Sequence, residues 1–225
     1  MIKKRGAMKP LILINFKTYP EAAGKKALLL AKKIAAVKTK KYVIAVAPPI
    51  LALKEVAQKT RLLTFAQYVD ADEYGAHTGE IIPAELKKSG VMGALINHSE
   101  HCLPLKLIKK TAEACKKQHL LTIICAADLN EVKEMARLRP DYLAYEPKEL
   151  IGGEISVTKS KPKIIIEAVK LVKKISPKTK ILCGAGVRSR QDLRQALELG
   201  TEGVLLAHAV VKAKDPKRFL EEFLL

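Results

Sequence analysis

The sequence predicts a single α/β domain built as a closed (β/α)8 barrel, on three observations. Eight short apolar runs recur about every 20 to 40 residues, the spacing of strand-plus-helix units. Between them lie helical patterns with one apolar stripe and a lysine-rich opposite face. The runs are apolar on both faces, as expected of parallel strands covered on both sides. At 225 residues the chain can bury a sizeable core and sits near the lower end for eight strands and eight helices. We expect one domain over residues 1–225, with 1–9 as a basic extension.

Taken in order, the strands are expected at Leu11 to Ile14, Tyr42 to Ala47, Leu62 to Ala66, Met92 to Ile96, Leu121 to Cys125, Tyr142 to Tyr145, Lys180 to Cys183, and Gly203 to Leu206. Helical stripes follow i, i+3, i+4, i+7 at Ala27, Leu30, Ala31 and Ile34. Comparable stripes run through Leu105, Ile108, Ala112 and Cys115, and through Ile164, Ala168, Leu171, Val172 and Ile175. Pro20, Pro49, Pro83, Pro104, Pro162 and Pro216 each stand where a helix should begin, where a missing amide hydrogen costs nothing. Gly90 and Gly200 fall just past helix ends, as left-handed caps should. An open doubly wound sheet is the alternative architecture. No G-x-G-x-x-G follows the first strand, but that argues only against its nucleotide-binding versions.

Hydrophobic residues make up 48% of the chain and aromatics 4%, with no Trp, so the core must be built from Ile, Leu, Val and Ala. Lys and Arg number 41 against 23 Asp and Glu, a net charge of +18. Such a balance fits a nucleic-acid binder, an enzyme of acidic substrates, or a lysine-coated protein working hot. The lysines fall mostly as pairs on helix faces, without the interleaved aromatics that stack bases, so no nucleic-acid partner is expected. Cys102, Cys115, Cys125 and Cys183 form no C-x-x-C pair, which argues against a zinc ribbon or disulfide framework and for a reducing cytoplasm. The basic first nine residues lead into no long apolar core, and no run reaches membrane-helix length, so no export or membrane anchoring is expected. Met8 is a second candidate start.

In a barrel the side chains just past each strand's carboxyl end converge on one mouth. Asn15, Phe16 and Lys17 follow strand one; Asn97, His98, Ser99 and Glu100 follow strand four. Glu146 follows strand six, beside a stretch with two glycines. Gly184, Ala185 and Gly186 follow strand seven, and Ala207, His208 and Ala209 follow strand eight. Small-residue loops after strands seven and eight are where barrels hold phosphate with backbone N–H groups. A carboxylate can remove a proton beside a carbonyl, an imidazole can polarise the carbonyl oxygen, and a lysine can offset the charge of the enediolate. The set therefore suggests proton transfer on a phosphorylated carbonyl compound. No pair of potential ligands has zinc-site spacing, so no metal is expected.

Four separated motifs, Asn15-Phe16-Lys17, Ala76-His77-Thr78-Gly79-Glu80, Asn97-His98-Ser99-Glu100, and Tyr145-Glu146-Pro147 with its following Glu-Leu-Ile-Gly, occur in the order found in triosephosphate isomerases. The chain resembles that family over nearly its whole length. Cys183-Gly184-Ala185-Gly186-Val187 and Val211-Lys212-Ala213-Lys214-Asp215-Pro216 look most like its compact archaeal branch.

The resemblance implies a single-domain TIM barrel interconverting dihydroxyacetone phosphate and D-glyceraldehyde 3-phosphate in glycolysis and gluconeogenesis, without a cofactor. It makes Glu146 the base, His98 the neutral electrophile and Lys17 the positive charge on substrate, supported by Glu100. Asn15 would bind the substrate oxygen, and Gly152, Gly184, Gly186, Ala207 and His208 would hold the phosphate. The family is itself the established example of such tuning, in which a helix N-terminus keeps the imidazole uncharged and a closing loop excludes water. Ser99 and Asn97 read as capping the turn after strand four. The segment Gln67 to Glu80 is long for a strand-to-helix loop. In the family it docks into a neighbouring subunit, its threonine (here Thr78) bracing the neighbour's strand-one region, which implies a homodimer or homotetramer. Two positions depart from the family pattern: Gly152-Gly153-Glu154 replaces Gly-Thr-Gly in the closing loop, and His208-Ala209 replaces a glycine-rich step. The competing readings are another phosphate-binding barrel of sugar or amino-acid metabolism and a noncatalytic basic RNA-binding module.

Overall fold

Each of the eight expected strands is present in a computed structural model that describes residues 9–147 and 162–225. They are β1 (Leu11–Asn15), β2 (Val43–Ala47), β3 (Leu63–Ala66), β4 (Gly93–Ile96), β5 (Leu121–Ala126), β6 (Tyr142–Tyr145), β7 (Lys180–Cys183) and β8 (Gly203–Leu206). They pair in sequence order, all in parallel, and β1 also pairs with β8, so the sheet closes into a barrel. The doubly wound alternative is thereby excluded.

Around the barrel lie α1 (Lys25–Ala35), α2 (Ile50–Lys59), α3 (Pro83–Lys88), α4 (Leu105–Lys117), α5 (Leu129–Arg137), α6 (Pro162–Ile175), α7 (Arg190–Glu198), α8 (His208–Val211) and α9 (Pro216–Leu224). None of the described helices is long and apolar enough to cross a membrane.

The strands are apolar on both faces because each face has its own core. Leu11, Leu13, Phe65, Leu95, Ile123, Leu182 and Leu205 fill the barrel interior. Ile12, Ile14 and Val204 face outward onto the buried stripes of α1, α7 and α9. A side-chain period of two along each strand produces this division. Among the helices, Ala27, Leu30, Ala31 and Ile34 are buried as their spacing predicts. Two stripes differ by a position. In α4, Leu105 is exposed as the first helical residue, while Thr111 joins Ile108, Ala112 and Cys115 inside. In α6, Ile165 rather than Ile164 is buried with Ala168 and Val172.

Pro83, Pro162 and Pro216 open their helices, whereas Pro49 and Pro104 stand one residue earlier, as N-caps. Pro20 opens only the 3-10 turn Pro20–Ala22; Gly24 at φ 52° then redirects the backbone, and α1 begins at Lys25. Gly90 and Gly200 take φ of 84° and 96°, the left-handed conformation that ends a helix. The long connection after β3 carries no helix before Pro83. Its neck is closed by Asp70, whose N–H donates to Ile81 O at 2.9 Å and whose Oδ2 accepts from Ile81 N–H at 2.7 Å. Residues Glu73 to Glu80, including Thr78, are exposed.

Candidate active site

All the strands run the same way, so their carboxyl ends meet at one mouth, and a cavity opens there. Asn15, Lys17, His98, Glu146, Gly184, Gly186, Ala207 and His208 line it, together with Tyr19, Ser99 and Arg188. Gly152 lies outside the described residues. Thr78 is exposed on the long loop and is not part of this lining.

The turns after β1 and β4 hold two non-glycine residues in the left-handed region, Lys17 at φ 48° and Asn97 at φ 61°. Such conformations persist only where surrounding bonds fix them, and they concentrate at functional sites. Here Asn15 Oδ1 accepts from Lys17 N–H at 2.9 Å, and Gln67 Nε2 donates to the carbonyls of Lys17 (3.0 Å) and Ala47 (2.9 Å). Asn97 Nδ2 donates to Cys125 O at 3.1 Å, and its Oδ1 accepts from Leu103 N–H at 2.9 Å, so this side chain spans the turn after β4. Gln67 was not foreseen from the sequence; its position just past β3 was the available signal.

Lys17 Nζ lies 2.6 Å from Glu100 Oε1. His98 connects this pair to the carboxylate across the mouth. Its Nδ1 accepts from Glu100 N–H at 3.1 Å, which leaves the hydrogen of the neutral ring on Nε2, and Nε2 lies 3.6 Å from Glu146 Oε1. Burial, and then the Lys17 ammonium, hold the imidazole pKa below its ordinary value, against the opposing influence of Glu100. The ring is thereby kept neutral.

Glu146 begins the connection after β6, with its N–H donating to Ala126 O at 2.8 Å, and the residue is only 4% exposed. Burial pushes its carboxyl up to about 7; the Cys125 thiol, Lys17 and the Ser99 backbone pull the other way. Oε2 is buried with no hydrogen-bond partner among the described residues. An orphan carboxylate oxygen that deep is destabilising, and costs of this kind concentrate at functional sites.

The two small-residue loops differ in what they offer. Among the described residues, no hydrogen bond engages the N–H groups of Gly186, His208 or Ala209. Gly184 is different: its N–H donates to Tyr145 O at 2.9 Å, and a Cβ there would fall 2.4 Å from Glu146 Cγ. What this glycine supplies is room for the carboxylate. His208 is exposed, with its ring edge-on to Tyr19 at 6.3 Å, and Lys212 Nζ lies 4.7 Å from the Tyr19 ring centre.

One grouping outside the mouth was not foreseen from spacing. Ligand atoms of Asp72, His77 and Glu80 lie within 4.8 Å of one another on the long loop. Lys110 Nζ, 2.8 Å from Asp72 Oδ1, already supplies a cation there.

Residues 10–223 match the family model described as Triosephosphate isomerase. A protein of Methanosarcina mazei named triosephosphate isomerase is 43% identical over 216 residues, covering 96% of this chain and 97% of its own length. Proteins of the same name from Methanothermus fervidus and Methanocaldococcus jannaschii are each 41% identical, over 96% and 95% of this chain and 98% of their own lengths.

Proposed function

We infer the working of this mouth from one premise: the chain belongs to the triosephosphate isomerase family and interconverts dihydroxyacetone phosphate and D-glyceraldehyde 3-phosphate, a step of glycolysis and gluconeogenesis. Glu146 is the base. It takes a proton from the carbon beside the substrate carbonyl and returns it to the neighbouring carbon, passing through an enediolate. The observation that carries this role is the buried Glu146 carboxyl, raised to about 7 with Oε2 unpartnered among the described residues and Nε2 of a neutral histidine 3.6 Å away. A base whose pKa lies near neutrality combines the ionised form with useful proton affinity.

His98 donates its Nε2 hydrogen to the oxygens that gain charge, and Lys17, held by Glu100, offsets that charge. Asn15 binds the substrate oxygen. Phosphate sits against the backbone amides of Gly186 and of the turn at Ala207 and His208, which is supported by N–H groups that no described residue accepts from. Gly152 stays in this set on the resemblance alone, and Gly184 as the residue that makes room for Glu146. The test of the reaction is a coupled assay with D-glyceraldehyde 3-phosphate. Turnover establishes it, and its absence from well-folded enzyme refutes it.

We further propose a cytoplasmic homodimer or homotetramer. Free cysteines throughout support the compartment. Support for the assembly comes from the loop projecting Glu73 to Glu80 into solvent, closed at its neck by Asp70. In the assembly Thr78 would brace the partner's strand-one turn.

A further inference from the structure

Arg188 stands two residues past Gly186 in the connection from β7 to α7 and lines the same cavity as Lys17, His98 and Glu146. The root of its side chain is fixed. Asp192 Oδ2 accepts from the N–H groups of Arg188 (3.1 Å) and Ser189 (3.0 Å) and from the Ser189 hydroxyl (2.8 Å), while Ser189 Oγ accepts from Asp192 N–H at 3.2 Å. This capping box holds the start of α7, and with it position 188, at the cavity wall.

The charge around the cavity explains why such a position matters. The substrate brings a phosphate dianion into a mouth that already contains the Glu146 carboxylate. Lys17 is engaged with Glu100 at 2.6 Å, beside the histidine that faces the reacting carbons. The strand-seven and strand-eight loops lie on neighbouring strands, and of their lining residues only Arg188 carries a charge at every physiological pH. Its planar fork of N–H donors matches two phosphate oxygens at once.

We propose that Arg188 is a substrate-binding residue whose guanidinium grips the phosphate beside the backbone amides of Gly186 and the 207–209 turn, and so sets the preference for the phosphorylated triose. This rests on the triosephosphate isomerase reading above. The contrasting role is purely local, with residue 188 serving the helix cap and making no contact with substrate.

The two roles are separated by Arg188→Ala and Arg188→Lys, assayed with D-glyceraldehyde 3-phosphate, with unphosphorylated D-glyceraldehyde, and with inorganic phosphate as competitive inhibitor. Loss of one charge-assisted contact at an exposed arginine predicts that Arg188→Ala raises KM and the phosphate Ki about tenfold. The preference for the phosphorylated over the unphosphorylated substrate falls by a similar factor, and Arg188→Lys recovers part of both. Unchanged KM and Ki in Arg188→Ala, or an equal loss with both substrates, overturns the proposal. Wild-type enzyme without triose phosphate turnover would instead remove the reading on which it rests.

Discussion

Gly184 and Glu146 are fitted to each other across two adjacent strands: a Cβ on Gly184 would lie 2.4 Å from Glu146 Cγ and 3.1 Å from Tyr145 O. Gly184 is not among the glycines at positive φ, so its backbone conformation admits alanine. The penalty of Gly184→Ala therefore falls on the position of the carboxylate. Displacing a reacting group by about 1 Å lowers kcat by roughly a hundredfold. We expect a loss of that order with inorganic phosphate still binding as a competitive inhibitor. Wild-type kcat in Gly184→Ala would show that the carboxylate has room elsewhere.

Glu100 accepts from Lys17 Nζ at 2.6 Å and has a side chain 56% exposed, so the ion pair contributes little to stability, about 0–1 kcal/mol. Its importance is positional, because the same residue's N–H donates to His98 Nδ1. Glu100→Gln keeps that N–H and removes only the charge holding Lys17. We expect thermal unfolding to change little while kcat/KM falls roughly tenfold through the misplaced ammonium. A large fall in Tm with unaltered kinetics would reverse this assignment.

The Glu146 carboxyl rises from 4.5 to about 7 on folding, so between those values the folded state binds more protons than the unfolded chain. Stability must then fall as pH rises through that window and stay lower above it, by about 3 kcal/mol at full effect. Glu146→Gln has no charge to bury. Its Tm relative to wild type is expected to climb from pH 4.5 to pH 7 and then level off. A difference that is flat with pH would mean that the carboxyl is not raised.

The barrel was legible in the sequence because its strands are apolar on both faces and its helices keep one stripe; Ile12 and Leu13 already show the two cores they join. Much of the mouth was legible too, since Lys17, His98 and Glu146 stand within two residues of strand ends. What could not be read depends on closure. Glu146 faces Cys125 and Gly184 only because β5, β6 and β7 pair in a fixed register, such as Cys125 with Ala144 and Tyr145 with Cys183. A glycine that makes room for a neighbouring strand's side chain looks in sequence like a phosphate-loop glycine. Gln67 stands just past β3 and its place at the mouth was readable, but its acceptors, Lys17 O and Ala47 O, belong to other connections and were not.

Assembly is tested by dilution. If Thr78 from one subunit braces the strand-one turn of its partner, activity and sedimentation should fall together as the oligomer dissociates, and Thr78→Ala should shift that midpoint to higher protein concentration. A fully active monomer at low concentration would contradict this account.

The central claim is that Glu146 moves the proton. It is tested most directly by measuring kcat and inhibitor affinity together in Glu146→Gln, which preserves the shape of the side chain and removes the base. We predict that kcat falls by at least about a thousandfold, within the range assigned to general-base catalysis, while a phosphate-bearing enediolate analogue still binds. A variant that retains near-wild-type turnover, or that loses inhibitor binding while its residual chemistry is intact, would contradict the claim.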